Sequence, residues 1–181
     1  MTVVILAGVP GSGKTTVMGK VMEKKEVNFI TYGTVMLEIA GEMGIRDRDE
    51  MRKRPLDEQR RLQRMTAEKV GGMGDVVIDT HCTIKTPGGY LPGFPHDILK
   101  RINPELIILI EAEPEEIMAR RKKDEGIRER DAEDADGIAE HQLMNRIAAM
   151  EYAVLTGATV KIVKNNDGMA EEAAEEIIKV L

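Results

Sequence analysis

The segment Gly8-Val-Pro-Gly-Ser-Gly-Lys14-Thr15 combines features that belong together around a polyphosphate. Its glycines let backbone N–H groups turn inward toward phosphate oxygens without a Cβ in the way, and a helix opening after Gly13 adds its positive end. Lys14 then reaches the terminal phosphates, and the Thr15 hydroxyl is placed to coordinate a Mg²⁺ ion bridging them. The spacing GxxxxGK[ST] therefore reads as a nucleoside triphosphate site, ATP with Mg²⁺, built from Gly8, Val9, Pro10, Gly11, Ser12, Gly13, Lys14, Thr15 and Thr16. The motif requires a strand before it and a helix after it, which a mere glycine turn with a surface lysine would not.

Other residues extend the chemistry. Asp79 ends the apolar run Val76-Val-Ile, so it projects from the carboxyl end of a strand toward the crevice where open α/β folds bind ligands. It can hold Mg²⁺ through water; a strand-ending acid that caps a turn is the other reading. Arg120, Arg121, Arg128, Arg130 and Arg146 lie in or flank a charged stretch from Glu125 to Ala135. Transfer between two nucleotides needs cations on both phosphate chains, and such a stretch closing over them would exclude water. Against that, Arg120 and Arg121 also suit a helix carboxyl end, and Arg128 and Arg130 can pair with Glu129 and Asp131. The guanine-specificity string NKxD is absent, and Asp134 to Gly137, a DxxG string without a preceding strand, reads as chance.

These residues need a scaffold. Five runs rich in Val and Ile, Val3 to Ala7, Val27 to Thr31, Val76 to Asp79, Leu106 to Glu111 and Thr159 to Val163, are nearly continuous in apolar character, as in parallel strands covered on both faces. Helical spacing fills 14–25, 33–44, 55–71, 94–102, 114–124, 134–156 and 168–180. The sum is an α/β fold of repeated βα units. Pro114, Glu115 and Glu116 suit a helix start and Arg120 to Lys123 its end. Asp167 suits the cap of the last helix, whose apolar face is Ala170, Ala173, Ala174, Ile177, Ile178 and Leu181. Thr80 to Pro95, dense in Gly and Pro, and Glu125 to Ala135 read as loops.

The 181 residues, 42% hydrophobic and 32% charged, suit one domain over 1–181 with a core and a charged surface. A net charge of −6 disfavours general nucleic-acid binding. Cys82 alone allows no internal disulfide and fits a reducing, cytoplasmic setting; no His or Cys pair has zinc-site spacing. There is no signal-peptide pattern and no membrane-spanning apolar stretch.

The chain closely resembles the archaeal-type adenylate kinases, a P-loop branch distinct from the bacterial and eukaryotic forms. The likeness runs through GVPGSGKTT at 8–16, YGTVMLEIA at 32–40, RDRDEMRK at 46–53, VVIDTHCTIKTPGGYLPGFP at 76–95, RERD at 128–131, EHQLMNR at 140–146 and LTGATVKI at 155–162. This resemblance implies the reaction ATP + AMP ⇌ 2 ADP with Mg²⁺, a five-stranded parallel sheet of P-loop kinase order, and often a homotrimer. It implies an acceptor region of about 32–70, with Thr34 and Met36 in the AMP pocket and Arg52 on its phosphate, and Thr80, His81, Thr83 and Lys85 as acceptor-site residues. It implies a short lid of about 121–135 without CxxC pairs. Arg120, Arg128, Arg130 and Arg146 match positions that contact phosphate and adenine, with Arg120 favoured over Arg121. No general base is needed for an acceptor that is already an anion. An adenylate-kinase-like ATPase acting as an assembly factor would have a similar sequence, and a kinase for another small acceptor is a third reading.

Overall fold

Every strand of the main sheet ends on the same side of the molecule, and that side carries the site. The computed structural model describes residues 2–123 and 134–181, apart from the side chain of Arg52. The expected lid arginines Arg128 and Arg130 lie outside the described residues. In chain order the elements are β1 (Val3–Ala7), α1 (Lys14–Lys24), β2 (Phe29–Thr31), α2 (Tyr32–Glu42), α3 (Arg48–Lys53), α4 (Leu56–Gly71), β3 (Val76–Asp79), β4 (Thr83–Thr86), β5 (Gly89–Pro92), α5 (His96–Ile102), β6 (Leu106–Glu111), α6 (Pro114–Lys123), α7 (Ala135–Thr156), β7 (Thr159–Lys164) and α8 (Ala170–Ile178).

The five-stranded sheet has the order β2-β3-β1-β6-β7, and its pairings are parallel. β1 shows why the strand runs are continuously apolar. Val3, Ile5 and Ala7 pack into a core with residues of α2, α4, α5 and α7, while Val4 and Leu6 pack into a second core with α1 and α8. A strand covered on both faces has no polar face to alternate with. α8 meets the second core through Ala173, Ala174 and Ile177, flanked by Ala170, Ile178 and Leu181.

Four expectations need correction. The stretch Thr80 to Pro95 is not a plain loop. It contains an antiparallel hairpin, β4 with β5, in register Thr83↔Pro92 through Thr86↔Gly89. Its Gly and Pro residues make the turn and a tight junction: a Cβ on Gly93 would strike the backbone carbonyl of His81. α3 was not expected, because its six residues are nearly all charged. Asp47 starts it locally, its carboxylate accepting from Asp49 N (2.9 Å) and Glu50 N (2.8 Å). β2 begins at Phe29 rather than Val27. Asp167 does not cap α8; Met169 holds that position, and Asp167 pairs with Arg120 instead. The DxxG string has a structural role, since Asp134 caps α7 by accepting from Gly137 N at 2.8 Å.

α7 braces the hairpin at two points. Asn145 Oδ1 accepts from the backbone N (3.1 Å) and the hydroxyl (2.6 Å) of Thr83. The Tyr152 hydroxyl donates to Cys82 O (2.8 Å) and accepts from Phe94 N (3.1 Å), spanning both ends of the hairpin from within the core. Tyr152→Phe leaves Phe94 N without its partner, while Cys82 O keeps the bond from Gly93 N (2.7 Å), and is expected to lower unfolding stability by about 1–3 kcal/mol in urea denaturation. A midpoint identical to wild type would show that this brace is dispensable.

Candidate functional site

Ser12 N donates to Val9 O at 3.1 Å, and Gly11 and Gly13 adopt φ of 89° and 90°, closing the loop between β1 and α1. These φ values lie in the region that side chains disfavour, so both glycines are required by the turn itself. Asn165, from the segment after β7, supports the loop from behind: its Nδ2 donates to Ser12 O at 2.8 Å. A Cβ on Gly13 would collide with that amide. α1 then presents its amino end to the loop, with no acidic residue in its first turn to compete for an anion.

Lys14 Nζ donates to Gly8 O at 3.1 Å and lies 3.7 Å from Asp79 Oδ1. Asp79 is brought there by register, because Leu6↔Asp79 pair across β1 and β3. Burial raises the Asp79 carboxyl pKa, and Lys14 opposes the shift. Asp79 Oδ1 and Ser12 Oγ are buried and have no hydrogen-bond partner among the described residues. Thr15 is exposed in the first turn of α1. A buried carboxylate oxygen and a threonine hydroxyl are oxygen donors of the kind a hard divalent cation takes.

Cations close the other side. Arg121 is buried, at 8% exposure, and its Nε donates to Pro10 O at 2.7 Å, so it touches the phosphate loop directly. Arg120 turns to the segment after β7, donating to Asp167 Oδ1 (2.6 and 2.9 Å) and Asn165 O (2.9 Å). The sequence favoured Arg120, whose Nη1 lies 3.8 Å from where a Cβ on Gly13 would stand, while Arg121 hydrogen-bonds the loop backbone itself; nothing in the pattern of α6 separates the two. Arg146 forks onto buried Glu111 at the end of β6, with Nε to Oε1 at 2.7 Å and Nη2 to Oε2 at 2.5 Å, and Lys164 lies 3.3 Å from Oε2. Glu111 and Asn165 were not singled out by the sequence, because each acts through partners distant along the chain.

Beside this site, between α2, α3, α4 and the hairpin, lies a second cleft of about 400 Å³. Met36, Thr80 and His81 line it, together with Tyr32, Gly33, Arg48, Gln59 and Gln63 and the apolar Met51, Leu62 and Ile98. Thr34, Thr83 and Lys85 are not in its wall. Thr34 is exposed on α2, Thr83 is buried against Asn145, and Lys85 sits 5.7 Å from the Tyr90 ring centroid. The side chain of Arg52 lies outside the described residues. Thr80 N donates to Leu6 O at 3.1 Å, so the cleft begins where the phosphate loop begins.

Residues 7–139 match the family described as AAA domain. The chain is similar to an adenylate kinase of Methanocaldococcus jannaschii, 52% identical over 188 aligned positions, with 99% of this chain and 97% of that protein covered. It is 50% identical to one of Methanopyrus kandleri, with the same coverage, and 47% identical to one of Methanothermobacter thermautotrophicus, with both chains covered at 100%. Among solved structures, the shikimate kinase from Acinetobacter baumannii in complex with shikimate aligns at TM-score 0.61 and 15% identity, covering 99% of this chain and 92% of that one. A shikimate kinase from Bacteroides thetaiotaomicron aligns at 0.58 and 20%, covering 99% and 97%. Those identities speak to the fold alone.

His81 opens onto the cleft, yet desolvation between the cleft walls lowers its pKa to about 4, and Lys14 and His141 push the same way. The folded value lies below the ordinary 6.5, so protonation favours the unfolded chain. The resulting loss of stability sets in as pH falls below 6.5 and is complete below about 4. The His81 ring C–H resonance in NMR is therefore expected to stay flat between about pH 5.5 and 8. A titration midpoint near 6.5 would contradict this electrostatic account of the cleft.

Proposed function

The chain belongs to the archaeal-type adenylate kinases, and from that premise we propose that it carries out ATP + AMP ⇌ 2 ADP with its donor in the phosphate loop and its acceptor in the adjoining cleft. The observation that carries this reading is the meeting of the two sites at Asp79 and Thr80, within one residue of each other at the end of β3. Both nucleotides can then present their phosphates to Lys14 without leaving their own pockets.

The loop residues Gly8 to Thr16 hold the donor's phosphates through backbone N–H groups and the amino end of α1. Lys14 exchanges its contacts with Gly8 O and Asp79 for phosphate oxygens and offsets charge that builds during transfer. The Thr15 hydroxyl and, partly through water, Asp79 would hold a Mg²⁺ ion, which would supply positive charge to the donor phosphates. Arg121, seated on Pro10 O, adds fixed positive charge beside the loop, and Arg120 holds the segment after β7 against it. Arg128 and Arg130 are assigned to the transferring phosphate by resemblance. In the cleft, Met36, Thr80 and His81 face the acceptor. Arg52 and Thr34 are assigned to it by resemblance, as are Thr83 and Lys85, for which the hairpin contacts suggest an indirect role. The acceptor is an anion already, so positioning and exclusion of water suffice without a base.

Assembly as a homotrimer is part of this proposal. Leu143, Ile147, Met150 and Val154 fall at intervals of four, three and four along α7 and are exposed, Val154 at 81%, while the helix's other face is buried. An apolar stripe of this kind is suited to a second copy of the chain. A cytoplasmic location is proposed on the buried, unpaired Cys82. Among the described residues no helix is long and apolar enough to cross a membrane.

The first test is ADP formation from Mg·ATP with and without AMP, and with CMP, UMP and GMP in its place. Fast turnover that depends on AMP is expected; ATP hydrolysis indifferent to AMP would favour the ATPase reading. Lys14→Ala is expected to lose about 10²–10³ in kcat, the scale of one preorganised charge-stabilising donor. Arg130→Ala is expected to lower kcat far more than it weakens ATP binding measured by titration calorimetry. In light scattering, Val154→Glu is expected to dissociate the trimer; an unchanged mass would remove α7 from the interface.

A further inference from the structure

We infer that Asn165 is a positioning residue for the donor phosphates: by holding Ser12 O from behind the loop, it aims the Gly13 N–H into the phosphate site. The inference rests on the reading of the loop as the donor site and names what keeps its backbone in the binding orientation.

Gly11 and Gly13 permit the turns of the loop, but the same freedom is a liability. They sit at φ of 89° and 90°, and a glycine crosses between positive and negative φ with little penalty. The peptide before it can therefore rotate and turn a carbonyl oxygen, instead of an N–H, toward an arriving phosphate. A trans peptide carries its C=O and N–H on opposite sides. Fixing the carbonyl behind the loop thus fixes the N–H in front of it.

Both glycine peptides are held in this way. Asn165 Nδ2 donates to Ser12 O at 2.8 Å, and Arg121 Nε donates to Pro10 O at 2.7 Å. Ser12 is fully buried, and Asn165 and Arg121 are 5% and 8% exposed, so these bonds are shielded from competing water. Gly11 and Gly13 themselves are half-buried, and no described residue accepts from Gly11 N or Gly13 N. Two such N–H groups beside the amino end of α1 make a concavity suited to anionic oxygens.

Asn165 is fixed in turn by its own backbone. Its N donates to Glu111 O at 2.6 Å, and its O accepts from Arg120 Nη2 at 2.9 Å. The adjacent arginines of α6 therefore act on the two glycine peptides of the loop, Arg121 directly and Arg120 through Asn165.

The test follows the Gly11 and Gly13 amide resonances of the full chain in heteronuclear NMR as Mg·ATP or inorganic tripolyphosphate is added. Calorimetry of both ligands and of AMP is run alongside, on wild type, Asn165→Ala, Asn165→Leu and Arg121→Met. In wild type both amide protons are expected to move downfield with either ligand. In both Asn165 variants the Gly13 shift is expected to be lost and the Gly11 shift kept. ATP and tripolyphosphate are expected to bind about 5- to 30-fold more weakly there, and AMP as before. Leu fills the space of Asn without donating, so wild-type affinity in Asn165→Leu would assign the residue to packing and overturn the inference. Arg121→Met is expected to reverse the pattern, losing the Gly11 shift and keeping that of Gly13. A wild-type Gly13 shift in both Asn165 variants overturns the inference, as does a loss of AMP binding equal to that of ATP. Wild-type protein that binds Mg·ATP while its Gly13 amide stays in place overturns the inference alone. Wild-type protein that binds neither Mg·ATP nor tripolyphosphate overturns it together with the donor reading. A Gly13 shift that depends on Asn165 without phosphoryl transfer to AMP upholds the inference and sinks only the proposed reaction.

Discussion

Asp79 is paired in register with Leu6 on one side and Thr31 on the other, and this double pairing fixes where three strands end. The phosphate loop leaves from β1, the acceptor wall from β3 and the amino end of α2 from β2, so a one-residue slip in either pairing would separate parts that must share a phosphoryl group. Parallel strands covered on both faces resist such slips, because each residue of β1 fits a particular core. The buried Asp79 oxygen without a hydrogen-bond partner, 3.7 Å from Lys14, is a consequence of that alignment. Folding places it there, as an oxygen that a divalent cation arriving with the nucleotide could take.

α7 carries the same order outward. Gln142 both donates to Ala112 O (3.1 Å) and accepts from Ala112 N (3.3 Å), holding the chain just beyond β6. Asn145 and Tyr152 hold the hairpin, and Arg146 forks onto Glu111. These residues share one side of the helix by its 3.6-residue period, so a single rigid element ties the acceptor-side hairpin to the strand that flanks the phosphate loop. The opposite side of α7 is the exposed apolar stripe, which explains why the helix as a whole has so little amphipathic contrast.

The sequence makes the scaffold and the donor site legible for a physical reason: both depend on local signals. Continuous Val and Ile runs mark buried strands, and the glycine spacing before Lys14 describes a backbone turn. Pro114, Glu115 and Glu116 mark where α6 starts. What stays hidden is held by long-range contacts. Arg121 meets Pro10 across 111 residues and Asn165 meets Ser12 across 153, and no window of sequence contains both partners. The hairpin was masked because Pro and Gly also signal irregular loops, and α3 because a short charged helix held by one aspartate cap shows no apolar period.

The central claim is that two nucleotides meet at the end of β3 and exchange a phosphoryl group directly. Incubating the protein with Mg²⁺, AMP and ATP labelled on its γ-phosphate, and following the label through a single turnover, tests this most directly. The account predicts that the label passes into the β-position of ADP made from AMP, with inorganic phosphate a minor product. Label released as inorganic phosphate at a rate independent of AMP would contradict it.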